Sequence, residues 1–169
     1  MCVHFCSTFT SVEYIEKALV ALQGRLVTLM DLPTAAPYLF VHPAWDDAEA
    51  CAMLDGIPIT AYQNVMRGTV TRLRSTSPWD VRTIADALHA ENRTVGVKPA
   101  RFMTMLRHAI SGMKVRFFLV FGANLSHLRQ NGPSIAEMMY VLGMERTIER
   151  LGEADVFIAN LIVTSNTGE

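Results

Sequence analysis

Apolar residues recur along this chain at three- and four-residue intervals, the period of a helix with one buried face. Over residues 12–29 the stripe is Ile15, Leu19, Leu22, Leu26 and Leu29, with Ser11 placed to cap it and Glu13 in its first turn. Pro33 and Pro37 then break the pattern, and Tyr38-Leu39-Phe40-Val41 before Pro43 reads as a helix end or an extended link. Residues 44–54 predict a short helix stopped near Gly56 and Pro58, and residues 60–74 a longer one. Ser77-Pro78-Trp79-Asp80 reads as a helix start with Ser77 at the cap and Pro78 at the first helical position, running to about Glu91. Residues 98–111 predict the next helix, closed by Gly112 in the left-handed conformation. Ser134-Ile135-Ala136-Glu137 has the form of a capping box, its helix ends at Gly143, and Glu145 to Leu151 adds a last amphipathic turn or two. Strand-like alternation is confined to 116–121 and 156–163. The pattern predicts an all-α protein, a compact bundle of about six or seven helices.

A chain of 169 residues can bury a real core in one domain, or one and a half. Half of it is hydrophobic and only 18% is charged, which points to apolar surface that meets another part of a larger protein. The longest apolar run, Phe117 to Phe121, is too short for a bilayer, so no membrane partner is expected. The N-terminal residues carry neither a charged leader nor an Arg-rich amphipathic presequence. Three cysteines make no disulfide framework and suggest a reducing compartment. Cys2-Val3-His4-Phe5-Cys6 lacks a second ligand cluster, so we read it as an ordinary arm rather than a metal site.

The net charge of −1 gives no global attraction to nucleic acid, but its distribution is uneven. Residues 67–116 carry a net +7, between −5 on residues 1–66 and −3 on residues 117–169. Such a block can hold phosphates locally, although charge alone favours a solvated helix face over an RNA footprint, as it does for Arg67, Arg72 and Arg74. Catalytic chemistry is not visible. There is no glycine-rich phosphate loop, no His-Glu-x-x-His, no paired carboxylates and no histidine beside a nucleophile.

Two segments narrow the possibilities. One is Lys98 to Gly112, with Phe102, Leu106, Arg107, Ala109, Ile110 and Ser111 at set positions. The other is Gly132-Pro133-Ser134-Ile135-Ala136-Glu137-Met138-Met139, continuing to Leu142-Gly143. Before them come a proline-and-aromatic stretch, Leu32-Pro33 through Val41-His42-Pro43, and a helix opened near Trp79. From about Tyr14 to Leu151 this order resembles the C-terminal, anticodon-binding region of glutamyl-tRNA synthetases of the bacterial and mitochondrial type, class I aminoacyl-tRNA synthetases. The segment from Gly132 is most similar to the mitochondrial form.

The resemblance implies an α-helical cage that reads the tRNA anticodon, divided as an arm (1–11), a first helical subdomain (12–75), a second, anticodon-binding one (76–154) and a tail (155–169). It implies that Arg107 sits among the anticodon bases, that the turn of Gly132, Pro133 and Ile135 packs against and hydrogen-bonds them, and that Lys98 and Arg101 lie near the loop backbone. The physics is compatible: unpaired bases can stack on a planar guanidinium and be read at their edges. The residues themselves leave other roles open. Arg107 alone reads as a surface helix arginine, Pro133 as a helix-start proline, Ile135 as partly core, and Trp79 with Met103, Met105, Met113, Met138 and Met139 as core fillers.

The implied partners are the anticodon arm of tRNA-Glu and the catalytic domain of a parent glutamate–tRNA ligase. That parent uses ATP and Mg2+. Its His-Ile-Gly-His-like and Lys-Met-Ser-Lys-Ser-like motifs are absent here, so no cofactor is expected in this chain and it is not catalytic by itself. The implied compartment is the mitochondrial matrix, with the cytoplasm as the alternative. Residues 115–130 depart from the family, which joins the two segments through only a few residues. The codons for Val115-Arg116 and Gln130 are compatible with splice signals, so we read the insertion as an unspliced in-frame intron or a faulty gene model. The rival readings are a truncated or misassembled isoform that binds no RNA and acts only as a helical interaction module, and an unrelated helical enzyme.

Overall fold

The computed structural model describes residues 11–23, 26, 28–113 and 133–166. Among these the chain forms eight α-helices and two short 3-10 turns, and no strand. The expectations on Cys2 to Cys6, on the strand at 116–121 and on the insertion at 115–130 lie outside the described residues.

Side-chain caps decide most of the boundaries. Ser11 accepts from the Tyr14 N–H at 3.2 Å and starts α1 (Val12–Ala21). This helix is shorter than its stripe predicts. The Thr28 N–H donates to Asp31 Oδ2 at 2.8 Å and nucleates a separate 3-10 turn, Leu29–Asp31, which leaves Leu29 exposed. Pro33 lies at the start of the one-turn α2 (Leu32–Ala35), and Pro37 opens the 3-10 turn Pro37–Leu39. The helix expected over 44–54 is only α3 (Ala48–Ala52), because Asp47 caps it by accepting from the Glu49 N–H. The long helix at 60–74 is α4 (Ile59–Arg74).

The start of α5 (Val81–Val95) corrects the sequence reading, since the capping residue is Asp80 and not Ser77. Asp80 Oδ1 accepts from both the backbone N–H and the hydroxyl of Thr83, at 2.8 and 2.9 Å. A carboxylate at the positive end of the helix dipole outcompetes a serine three residues earlier. Gly96 and Gly112 close α5 and α6 (Pro99–Ser111) with φ of 70° and 61°, as predicted for Gly112. The capping box at Ser134 and Glu137 opens α7 (Ile135–Leu142), and Gly143 ends it.

The last element is α8 (Met144–Asn166), a single helix of 23 residues. The strand pattern at 156–163 is therefore overturned, and helix runs on through residue 154. The apolar and β-branched residues there looked like strand, but the buried positions Thr147, Arg150, Leu151, Ala154 and Ile158 keep the helical period. That face packs along α4 and the end of α6. Helix α4 also packs on α5, and α7 lies against α1, α5, α6 and α8, so one core is shared from α1 to α8. Tyr62, Phe102, Leu106 and Met138 are fully enclosed in it. Of the methionine and tryptophan set, Met105, Met138 and Met139 are core, Trp79 and Met103 are half-buried, and Met113 is exposed.

Two of the central arginines are held by carboxylates: Arg67 Nε by Asp155 at 2.9 Å and Arg72 Nε by Glu91 at 2.7 Å. Glu91 is buried against Gly68, where no side chain could fit without displacing its carboxylate. No helix among the described residues is long and apolar enough to cross a membrane.

Candidate nucleic-acid interface where α6 meets α7

Helix α6 buries one face, Phe102, Met105, Leu106 and Ala109, and carries Arg107 at the edge of that face. The capping box fixes where α7 begins and leaves the Pro133 carbonyl at the turn just before it. Arg107 Nη2 donates to the Pro133 carbonyl at 3.3 Å, and Arg107 Nη1 approaches Met138 Sδ at 3.7 Å. The two sequence-predicted elements are therefore brought together. The guanidinium is half-buried, and burial pulls its pKa below the ordinary arginine range, with Tyr38 opposing the shift. An arginine so placed keeps its charge at neutral pH and has donors beyond the two in use.

Other predicted residues fall elsewhere. Ile135 is only 4% exposed and Pro133 is buried. Both anchor the start of α7 in the core, and Pro133 contributes its carbonyl. Gly132 lies outside the described residues. Lys98 and Arg101 are exposed at the opposite end of α6 from Arg107 and make no ion pair among the described residues. Arg107 comes six positions after Arg101, about 9 Å along the axis and not on the same face. The two cations sit at the N-terminal end of a helix with no acidic residue in its first turn. That is the end where positive charge is unfavourable unless an anion meets it.

Sequence reasoning passed over two residues that hold Arg107's helix in place. Trp45 Nε1 donates to the carbonyls of His108 and Ala109, each at 3.2 Å. Arg150 Nη1 donates to the Ile110 carbonyl at 2.7 Å, and its Nη2 to the Val41 carbonyl at 3.0 Å. The signal for Arg150 was present, because it is a charge in a core position of the α8 stripe. Beside them His108 is fully buried, with Nδ1 2.8 Å from the Tyr62 hydroxyl, and burial lowers its pKa to about 4. Among the described residues, no group of three or more His, Cys, Asp or Glu could hold a metal ion.

Comparison with known proteins bears on the family and the fold. A family described as "Anticodon binding domain" matches residues 2–117, a span that includes Lys98, Arg101 and Arg107 but not Pro133 or Ile135. Glutamate--tRNA ligase 1 of Jannaschia sp. (strain CCS1) is 26% identical over 141 residues, covering 83% of this chain and 26% of that protein. A crystal structure of a glutamate tRNA ligase from Elizabethkingia meningosepticum CCUG26117, in complex with its amino acid, superposes with a TM-score of 0.67 at 20% identity, over 88% of this chain and 26% of that one. The glutamate-tRNA synthetase of Elizabethkingia anophelis gives 0.62 at 19% identity, over 86% and 24%. At these identities the solved structures establish the shared helical fold. The chain spans about a quarter of the length of these relatives.

Proposed function

The chain belongs to the anticodon-binding domain family, and from that premise we propose that it binds the anticodon arm of tRNA-Glu as the RNA-selecting part of a glutamate–tRNA ligase. The observation that carries the reading is the Arg107–Pro133 contact at 3.3 Å, which holds a half-buried guanidinium at a helix junction on a defined carbonyl. A cation fixed in that way offers a flat face for stacking and remaining N–H groups for base edges. Lys98 and Arg101 supply the phosphate-facing charge at the N-terminal end of α6, where an anion would relieve their unfavourable position. The parent reaction, attachment of glutamate to tRNA at the expense of ATP with Mg2+, belongs to a catalytic part that these residues do not contain. We further propose the mitochondrial matrix as the compartment, on the likeness of Gly132–Gly143 to the mitochondrial form; subcellular fractionation of the tagged protein tests this against the cytoplasm.

The binding test is fluorescence anisotropy with labelled anticodon stem-loops of tRNA-Glu and tRNA-Gln across a salt series. Wild type is expected to bind the tRNA-Glu stem-loop more weakly as salt rises. Arg107→Ala is expected to lose about five- to hundredfold in affinity, the range for removing one stacking partner. Undiminished binding by a folded Arg107→Ala variant rules out the assigned role.

A further inference from the structure

We propose that Arg150 is a positioning residue for Arg107: its buried guanidinium, with the Trp45 indole, locks the C-terminal end of α6 so that Arg107 faces the start of α7. This rests on the anticodon-binding role proposed above for Arg107. A helix leaves its last four carbonyls without intrahelical donors. In α6 the His108 carbonyl takes the Gly112 cap N–H at 2.8 Å, while those of Ala109 and Ile110 depend on donors from distant parts of the chain: Trp45, shared between His108 and Ala109, and Arg150 for Ile110. The same Arg150 reaches the Val41 carbonyl, so one planar fork ties α8 to the end of α6 and to the segment that leads into Trp45. Gly112 completes the seat. A side chain there would press on Pro43 and Ala44, its Cβ 3.1 Å from the Ala44 nitrogen.

Arg150 is an expensive way to satisfy two carbonyls. It is 4% exposed and makes no ion pair among the described residues. Its charge is balanced by carbonyl dipoles at the negative end of α6. Glu149 and Glu153 on α8 favour the charge from a distance, but a buried cation with no carboxylate in direct contact contributes little net stability. What it supplies is geometry, because a rigid fork fixes two carbonyls in relation to each other where a flexible amine does not. Ile110 is three residues beyond Arg107, so the lock sets the rotation of the turn that carries Arg107. Arg101 is nine residues before Ile110, about 14 Å away along the axis, and Lys98 is farther. The lock therefore governs Arg107 and not the cations at the other end.

A double-mutant cycle on stem-loop binding tests this. Arg150→Lys keeps the charge and loses the fork. It is expected to weaken binding about tenfold in the wild-type background and less than about twofold in the Arg107→Ala background, because the loss acts through Arg107. Equal losses in both backgrounds, or no loss in the wild-type background, overturn the proposal. If Arg150→Lys does not fold by circular dichroism, Trp45→Phe carries the same cycle with the same criteria. A wild-type chain that binds neither stem-loop sinks the anticodon reading instead. The positioning role is then read from nitrogen-15 NMR of the Arg107 guanidinium, whose hindered rotation is expected to be lost in Arg150→Lys or Trp45→Phe, and unchanged rotation overturns it.

Discussion

His108 makes this fold sensitive to mild acid, and the effect can be worked out before it is measured. The imidazole is fully enclosed on α6, and Nδ1 faces the Tyr62 hydroxyl at 2.8 Å. Burial drives the Tyr62 pKa upward, so its hydroxyl keeps a proton to donate to Nδ1. The neutral ring is the one the core accepts: its pKa falls from 6.5 to about 4 by burial alone. Between those values the unfolded chain binds a proton that the native chain refuses, so stability falls as pH drops. The decline begins near the unfolded value of 6.5 and is complete below about 4, where both states are protonated. The full shift corresponds to about 3 kcal/mol, and about 2 kcal/mol of it is already expressed near pH 5. His108→Gln keeps an acceptor for Tyr62 and removes the titration. Urea unfolding of both proteins at about pH 7.5 and about pH 5 isolates the histidine, because the carboxylates are common to both. Wild type is expected to lose about 2 kcal/mol more than the variant between the two conditions, or about 4–8 °C in Tm. Parallel pH dependences would show that the burial assigned to His108 is wrong.

Three further substitutions probe the frame that holds the site. Arg72→Met leaves the Glu91 carboxylate buried without its cation and is expected to cost about 2–3 kcal/mol in urea unfolding; a loss below about 0.5 kcal/mol would mean that Glu91 finds another partner. Gly112→Ala combines a left-handed backbone with contact on Pro43 and Ala44, so a loss of about 2 kcal/mol is expected in thermal unfolding, and a neutral result would deny the close approach of α6 to that segment. Asp80→Ala is expected to cost about 1 kcal/mol and Ser77→Ala less than about 0.5 kcal/mol by the same measurement; the reverse order would restore Ser77 as the cap of α5.

What the sequence disclosed and what it withheld divide along the range of the interactions involved. The capping box at Ser134 and Glu137 and the closing glycine at 112 are local, and the structure has both where the residues pointed. Helix α1 was read too long because the competing turn at Thr28 and Asp31 satisfies backbone that the apolar stripe would otherwise have claimed. Helix α8 was read too short because Val156 to Val163 is apolar enough to mask a 3.6-residue period, which only its packing on α4 enforces. Arg107 was singled out through the likeness to a family, since residue type alone made it an ordinary surface arginine. Trp45 escaped because its hydrogen bonds span 63 residues to a backbone carbonyl and leave no trace in local pattern, whereas Arg150 shows as a charge in a core position of the α8 stripe but its carbonyl partner, 40 residues away, does not.

The contact between Arg107 and Pro133 also bears on the extra residues that separate them in sequence. The connection from Met113 to Pro133 passes through residues outside the described part, yet Pro133 lies within hydrogen-bond reach of Arg107 on α6. Loop closure explains why the added length is tolerated. Lengthening a connection from about 6 to about 22 residues costs about 1 kcal/mol in chain entropy, because the penalty grows only with the logarithm of length. Against this stands α7, which buries Ile135, Ala136, Met138, Met139, Val141 and Leu142 out of its eight residues. At about 1.5–3 kcal/mol for each large apolar side chain removed from water, its docking exceeds the closure penalty several times over. The position of Pro133 is thus dictated by how α7 packs on α5 and α6, and not by the chain that leads to it. An intron read through at this point would leave the assembly of the site intact, and its consequences would fall on whether a nucleic acid can approach Arg107.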